Sequence, residues 1–188
     1  MPFRYSRDRV ESIGTLHALA HPTRLRILAH LQLNQDATAT ECAAEVGESP
    51  ASCSYHLRTL ARHGLVEEAG SDDGRERRWR RTVLSVDWDA GADRDEAFRA
   101  ASAAARAAML ELSDELVRDY FTHEREFPAA WREAASFLQT TLVATPKELE
   151  RAVERIQAVL ADYMPGARER PPRGARTVHV SIRAVPKP

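Results

Sequence analysis

Apolar positions along the first 90 residues return every three or four places and then every second place, and that change of period lays out the elements. Val10, Ile13, Leu16 and Leu19 mark a first helix over about residues 7–20, which Pro22 ends. Pro22 opens a second helix to about residue 33, burying Leu25, Ile27 or Leu28, and Leu31, with a loop over 34–37. Thr38 and Glu41 form a Thr-x-x-Glu capping box, so a helix begins at Ala39, turns Cys42, Ala43 and Val46 inward and stops near Gly47. Ser49 caps the next helix, with Pro50 at its first position, where the missing N–H would be unpaired anyway. That helix runs to about residue 62 on a seam of Cys53, Leu57 and Leu60. Strands over 65–69 and 75–83 then flank a Gly-Ser-Asp-Asp-Gly turn, and 83–88 ends a strand.

After residue 92 the helical period returns. Asp93, with Glu96 three places on, caps a helix that nothing breaks before Pro128, roughly 50 Å at about 1.5 Å per residue. Phe98, Ala101, Ala105, Ala108, Leu112 and Leu116, continuing to Tyr120, alternate steps of three and four. The spacing is that of a helix pairing with a second helix; the competing reading is packing on its own domain. Residues 129–188 read as a further α/β element. A strand is expected over 136–143 and a second capping box at Thr145 and Glu148, followed by a stripe of Leu149, Val153, Ile156, Leu160 and Tyr163. A Pro- and Gly-rich loop over 165–175 then leads to a half-buried strand over 177–185 carrying Val178, Val180 and Ile182. The fold class is mainly α with a small β component (α+β). A winged helix-turn-helix domain over 1–90 precedes a long dimerisation helix and a C-terminal α/β element over 91–188.

The helix at about 50–62 leaves Ser52, Ser54, Tyr55, Arg58 and Arg62 off its apolar seam. Hydroxyls and guanidiniums on one helix fit the major groove, where arginine bonds guanine edges in bidentate fashion. The following hairpin holds five arginines against one glutamate between residues 75 and 81, and Arg75, Arg77, Arg78 and Arg80 are the expected phosphate contacts of a wing. Residues 18–28 (ALAHPTRLRIL), 54–67 (SYHLRTLARHGLVE) and the wing together resemble the winged-helix domain of the ArsR-like bacterial transcription regulators. The resemblance covers about 70 of the 188 residues. It implies a homodimer on an inverted-repeat duplex, acting as a transcription regulator and a repressor. The alternative is a winged helix used for protein contact, as happens where the recognition helix is apolar or acidic; Arg58, Arg62 and the arginine wing favour double-stranded DNA.

The net charge of −1 changes meaning once divided along the chain: residues 1–85 carry 12 basic and 11 acidic groups, 86–150 carry 7 and 14, and 151–188 carry 8 and 3. The acidic excess thus sits away from the reading elements. The family's metal sensors place thiolates at positions matching Thr38 and Thr40, and neither is cysteine here. Their second site also lacks a partner, since His123 is the one histidine between Asp93 and Pro128. His17 and His21 have a zinc-compatible spacing, but Pro22 turns His21 off the first helix, so surface or capping roles are expected. Cys42 and Cys53 fall on inner faces and read as core thiols, and no metal or cofactor is expected. No Gly-x-Ser-x-Gly, phosphate-binding glycine loop or His-Glu-x-x-His occurs, so an enzyme is not expected. No apolar run approaches the roughly 20 residues that span a bilayer, and the N-terminus lacks a signal peptide's apolar core, which predicts a cytoplasmic protein without membrane contact. Phe127, Trp131, Phe137 and Tyr163, with Leu142 and Met164, concentrate apolar bulk beyond the long helix, where a pocket for a small organic effector is expected beside the competing reading of plain core.

Overall fold

The Thr38 capping box forms in both directions: Thr38 Oγ1 accepts from the Glu41 N–H at 3.1 Å, and Glu41 accepts from the Thr38 N–H at 2.7 Å. The structure, a computed structural model, describes residues 12–70, 76–82, 94–165, 167 and 171–187, with the backbone of 7–9 and 85–87. From that cap runs α3 (Ala39–Val46), closed by Gly47 at φ 73°, a left-handed conformation that glycine adopts without a Cβ penalty. Ser49 Oγ accepts from the Ser52 N–H at 3.1 Å and starts α4 (Pro50–Arg62). Before them stand α1 (Ile13–Leu19) and α2 (Pro22–Leu33). Leu16, Ile27, Leu31, Leu57 and Leu60 are fully buried between these four helices, together with both cysteines. Burial pushes the Cys42 thiol up to about 12, aided by neighbouring Cys53, and raises Cys53 as well, so both stay protonated core groups.

Two small sheets frame the helices. β1 (Arg7–Arg9) pairs in parallel with β5 (Ser85–Asp87). The first helix therefore starts at Ile13, later than expected, because residues 7–9 are spent on a strand; the side chain of Val10 lies outside the described residues. The second sheet has the order β2–β4–β3, all antiparallel, with β2 (Ala37–Thr38), β3 (Val66–Ala69) and β4 (Arg78–Arg81). β2 replaces the end of the expected 34–37 loop: Ala37 pairs with Trp79, whose ring is buried on the helices. The strand expected over 75–83 is thus trimmed to four residues, and Arg75 lies outside the described residues. These elements give an α+β winged-helix fold.

The chain divides into two units, 1–112 and 113–188. In the first, α5 (Glu96–His123) starts from Asp95, whose carboxylate accepts from the Phe98 N–H at 2.8 Å; Asp93 lies outside the described residues. Phe98, Ala101 and Ala105 enter the core of α1–α4, and Ala108 and Leu112 pack against it. This corrects the expected dimer seam. Its first half is spent inside its own chain, since the shortest route to burying Phe98 is the apolar surface of the reader beside it. Leu116, in the second unit, stays exposed.

The second unit holds a 3-10 turn (Glu124–Glu126), α6 (Ala129–Ala134) and α7 (Pro146–Ala161), whose Thr145–Glu148 capping box forms as expected. Residues 135–145 and 175–187 adopt no regular secondary structure and make no ladder among the described residues, so the strands expected over 136–143 and 177–185 are not found there. No helix among the described residues is long and apolar enough to cross a membrane.

The position of Ala105, fully buried on α5, separates core from interface. Ala105→Glu is expected to cost roughly 3–5 kcal/mol by leaving an unpaired charge in the core, read as a lower urea midpoint for the reader. Unchanged stability would place this face of α5 outside the core.

Candidate nucleic-acid interface

Tyr55, Arg58 and Arg62 follow steps of three and four on α4, so they share the face opposite Cys53, Leu57 and Leu60. All three stand in solvent, Tyr55 with 64% of its surface exposed. Neither Arg58 nor Arg62 has a hydrogen-bond or ion-pair partner among the described residues. Ser54, half-buried on the same side, joins Arg58 in a cleft of about 300 Å³ whose other walls are Thr40, Pro50, Arg77 and Trp79. The cleft brings the first turns of α3 and α4 and the wing strand together. Helix N-termini and two guanidiniums facing one concavity attract an anion such as a backbone phosphate, against the opposing carboxylate of Glu76 in the same lining.

Ser52 has a partner within its own chain. Its hydroxyl donates to Glu48, whose other oxygen accepts from Thr23 Oγ1 at 2.8 Å, so it braces the turn between α3 and α4. These two hydrogen bonds, Ser52 first, hold the Glu48 carboxyl below the usual range.

The wing arginines carry their own counter-charges. Arg77 donates to Glu68 at 2.7 Å and Arg80 to Glu67 at 2.6 Å, both pairs exposed and the second directly cross-strand. Arg78 donates to Asp36 at 2.6 Å and lies 3.3 Å from Glu41. Those interactions, the hydrogen bond to Asp36 foremost, raise the Arg78 pKa, and Arg78 is held as a brace between β4 and the start of α3. Arg77 and Arg80 keep exposed ion pairs, which contribute little and can exchange a carboxylate for a phosphate; Arg78 is built into the fold and cannot do so without loosening it. Neither Asp36 nor Glu48 was legible as a partner, because both act across turns that the sequence leaves free.

A histidine pair behind α4 was also missed. His21, before α2, meets His56 of α4 with ring centroids 4.7 Å apart, and both Nδ1 atoms are buried without a partner among the described residues. Burial lowers the pKa of each; Arg24 lowers His21 further and His21 lowers His56, against an opposing pull from Glu48. His17 stays exposed, and no group of three metal-ligating side chains converges among the described residues. In the second unit Phe127 and Trp131 are half-buried, and Phe137 and Tyr163 are 76% and 67% exposed. Phe137 meets Phe121 at 5.9 Å between ring centroids, and Arg176 lies over Phe127.

Arg58→Ala is expected to weaken binding to a selected duplex by about 1–3 kcal/mol and to relax its sequence preference, with stability unchanged; full affinity in the folded variant would remove α4 from this role. The histidine pair sets a pH dependence. Both pKa values are lower in the folded chain than the unfolded value of about 6.5, so the folded state binds fewer protons. Stability is then complete above about pH 6.5 and falls as pH drops below it. Urea unfolding at pH 7.5 and 5.5 should show this loss, and His56→Gln should shrink it; a pH-independent midpoint would place both rings in water.

The comparisons meet this geometry in the same residues. No curated protein matches the sequence. The stretch from the end of α1 through α4 to β3, residues 19–69, matches the family model described as a helix-turn-helix domain.

Proposed function

We propose that this protein is a dimeric, sequence-specific DNA-binding transcription regulator of the ArsR-like kind, acting as a repressor. The observation that carries the reading is the outward face of α4, where Tyr55, Arg58 and Arg62 stand together within a helix-turn-helix domain. In this reading α4 lies in the major groove, a phosphate sits at the cleft of Ser54, Arg58 and Arg77, and the wing follows the backbone. Two copies place their reading helices about one turn apart, roughly 34 Å, on an inverted repeat. On α5 the exposed line of Ala100, Ala103, Ala104 and Ala107, opposite the buried Ala101 and Ala105, remains for a partner helix. An organic effector completes the reading: Phe127 and Trp131 offer it an apolar seat that a second chain would close. It regulates only by its difference in affinity between the free and DNA-bound arrangements.

A protein-contact module is the second reading, favoured by the pairing of Arg77 and Arg80 with carboxylates. Selection of bound duplexes from a random pool, followed by titration at several salt concentrations, separates the two. The regulator should recover an inverted repeat and lose affinity steeply with salt. Replacing Arg77 and Arg80 by glutamine should flatten the slope by at most about 2 units, whereas Glu67→Gln with Glu68→Gln should tighten binding by freeing those guanidiniums. No salt-dependent duplex binding would leave the protein-contact reading.

A further inference from the structure

Residues 113–188 form patterned elements and yet bury almost nothing: between Asp114 and Lys187 no described side chain is buried. A unit of this size does not offset the entropy of ordering its backbone without removing apolar surface from water. In the stretch 175–187 the polar side chains engage the chain's own α5, with His179 Nε2 lying 2.9 Å from Ser113 Oγ and Arg183 donating to Asp114 at 2.6 Å. Val178, Val180 and Ile182, which alternate in sequence with His179, Ser181 and Arg183, are all exposed. The polar positions thus meet the helix while the apolar ones stay in solvent. The stretch 135–145 likewise exposes Phe137, Leu138, Leu142 and Val143. Neither stretch has a ladder partner among the described residues, so both offer unpaired backbone edges. On α7 the stripe of Leu149, Val153 and Leu160 is only half-buried and Ile156 is exposed.

We infer that a second copy of this chain covers these surfaces: stretches 135–145 and 175–187 of each chain join those of the other in one intermolecular sheet, and the α7 stripes of both pack on its apolar face. The inference deepens the dimer of the proposed function and rests on that reading for the use of two paired heads. Two observations select a second copy over a foreign protein. Unpaired edges and an uncovered helix stripe occur together in one chain, so a two-fold axis supplies an edge for every edge and a stripe for the sheet. The charges also complement: residues 171–187 carry three arginines and a lysine with no acid, whereas 111–126 carry six carboxylates against two arginines, opposite excesses beyond the intrachain Arg183–Asp114 pair.

The test uses the full chain without DNA, sedimented at falling concentration while amide exchange is followed in both stretches. The expected result is a dimer with 135–145 and 175–187 protected, both exchanging at free-chain rates once dilution gives monomers. Val180→Glu with Ile182→Glu should weaken the dimer by on the order of 100-fold or more while α2 and α4 keep their amide protection, which separates dissociation from unfolding. A monomer at every concentration, a dimer whose stretches exchange freely, or a double variant that dimerises as tightly as the parent overturns the inference. Because DNA is absent throughout, a chain that passes this test but binds no duplex sinks the proposed function alone, and a dimer that binds an inverted repeat while both stretches exchange freely sinks this inference alone.

Discussion

The Glu41 carboxylate is the constraint on which the reading head depends. It accepts from the Thr38 N–H, which starts α3, and faces Arg78, which belongs to β4. The Thr38 N–H holds its pKa below the usual range, with the Arg78 charge adding to the effect. One side chain therefore fixes the first turn of a helix and the strand that leads out of the wing. The short β2 ladder, Ala37 to Trp79 and Thr38 to Arg78, does the same through the backbone. With both ends of that link set, the angle between the wing and α4 is no longer free, and the cleft between Thr40, Ser54 and Arg77 acquires its walls.

What the sequence made legible is what is decided within a few residues. Both capping boxes, the Pro50 start, the Gly47 stop and the inward Cys42, Cys53, Leu57 and Leu60 depend on neighbours no more than four places apart, and each is found where the pattern puts it. The outward face of α4 followed from the same period. What stayed hidden depends on pairing across long separations. The Arg78–Asp36 bridge spans 42 positions and the Thr23–Glu48 hydrogen bond 25, and nothing local distinguishes those arginines and carboxylates from solvated ones. The partner of Ser52 stayed hidden in the same way: its helical position excluded it from the core, but the hydrogen bond to Glu48 is set by the turn between α3 and α4.

The long helix shows a different limit. A stripe at steps of three and four says that one face is buried and is silent about what buries it. Phe98, Ala101 and Ala105 found their cover in α1–α4 of the same chain, so a correct period carried an incorrect partner. Farther along, the same arithmetic marked Val178, Val180 and Ile182 as an apolar strand face, and there the described residues leave all three exposed. Periodicity fixes the geometry of a surface, and the assignment of its neighbour requires the fold.

The paired wing carries a consequence for how such a protein would move among binding sites. A wing with free guanidiniums holds any phosphate backbone, and most of its lifetime is spent on irrelevant duplex. Here Glu67 and Glu68 already occupy Arg80 and Arg77, so each phosphate must displace a carboxylate that diffuses nowhere and returns at once. Residence on arbitrary DNA shortens, and the fraction of molecules free to sample new stretches rises. In the proposed regulator discrimination would then fall to the unpaired face of α4, which would engage only where the bases match, so the tethered carboxylates would favour rapid rejection over prolonged scanning.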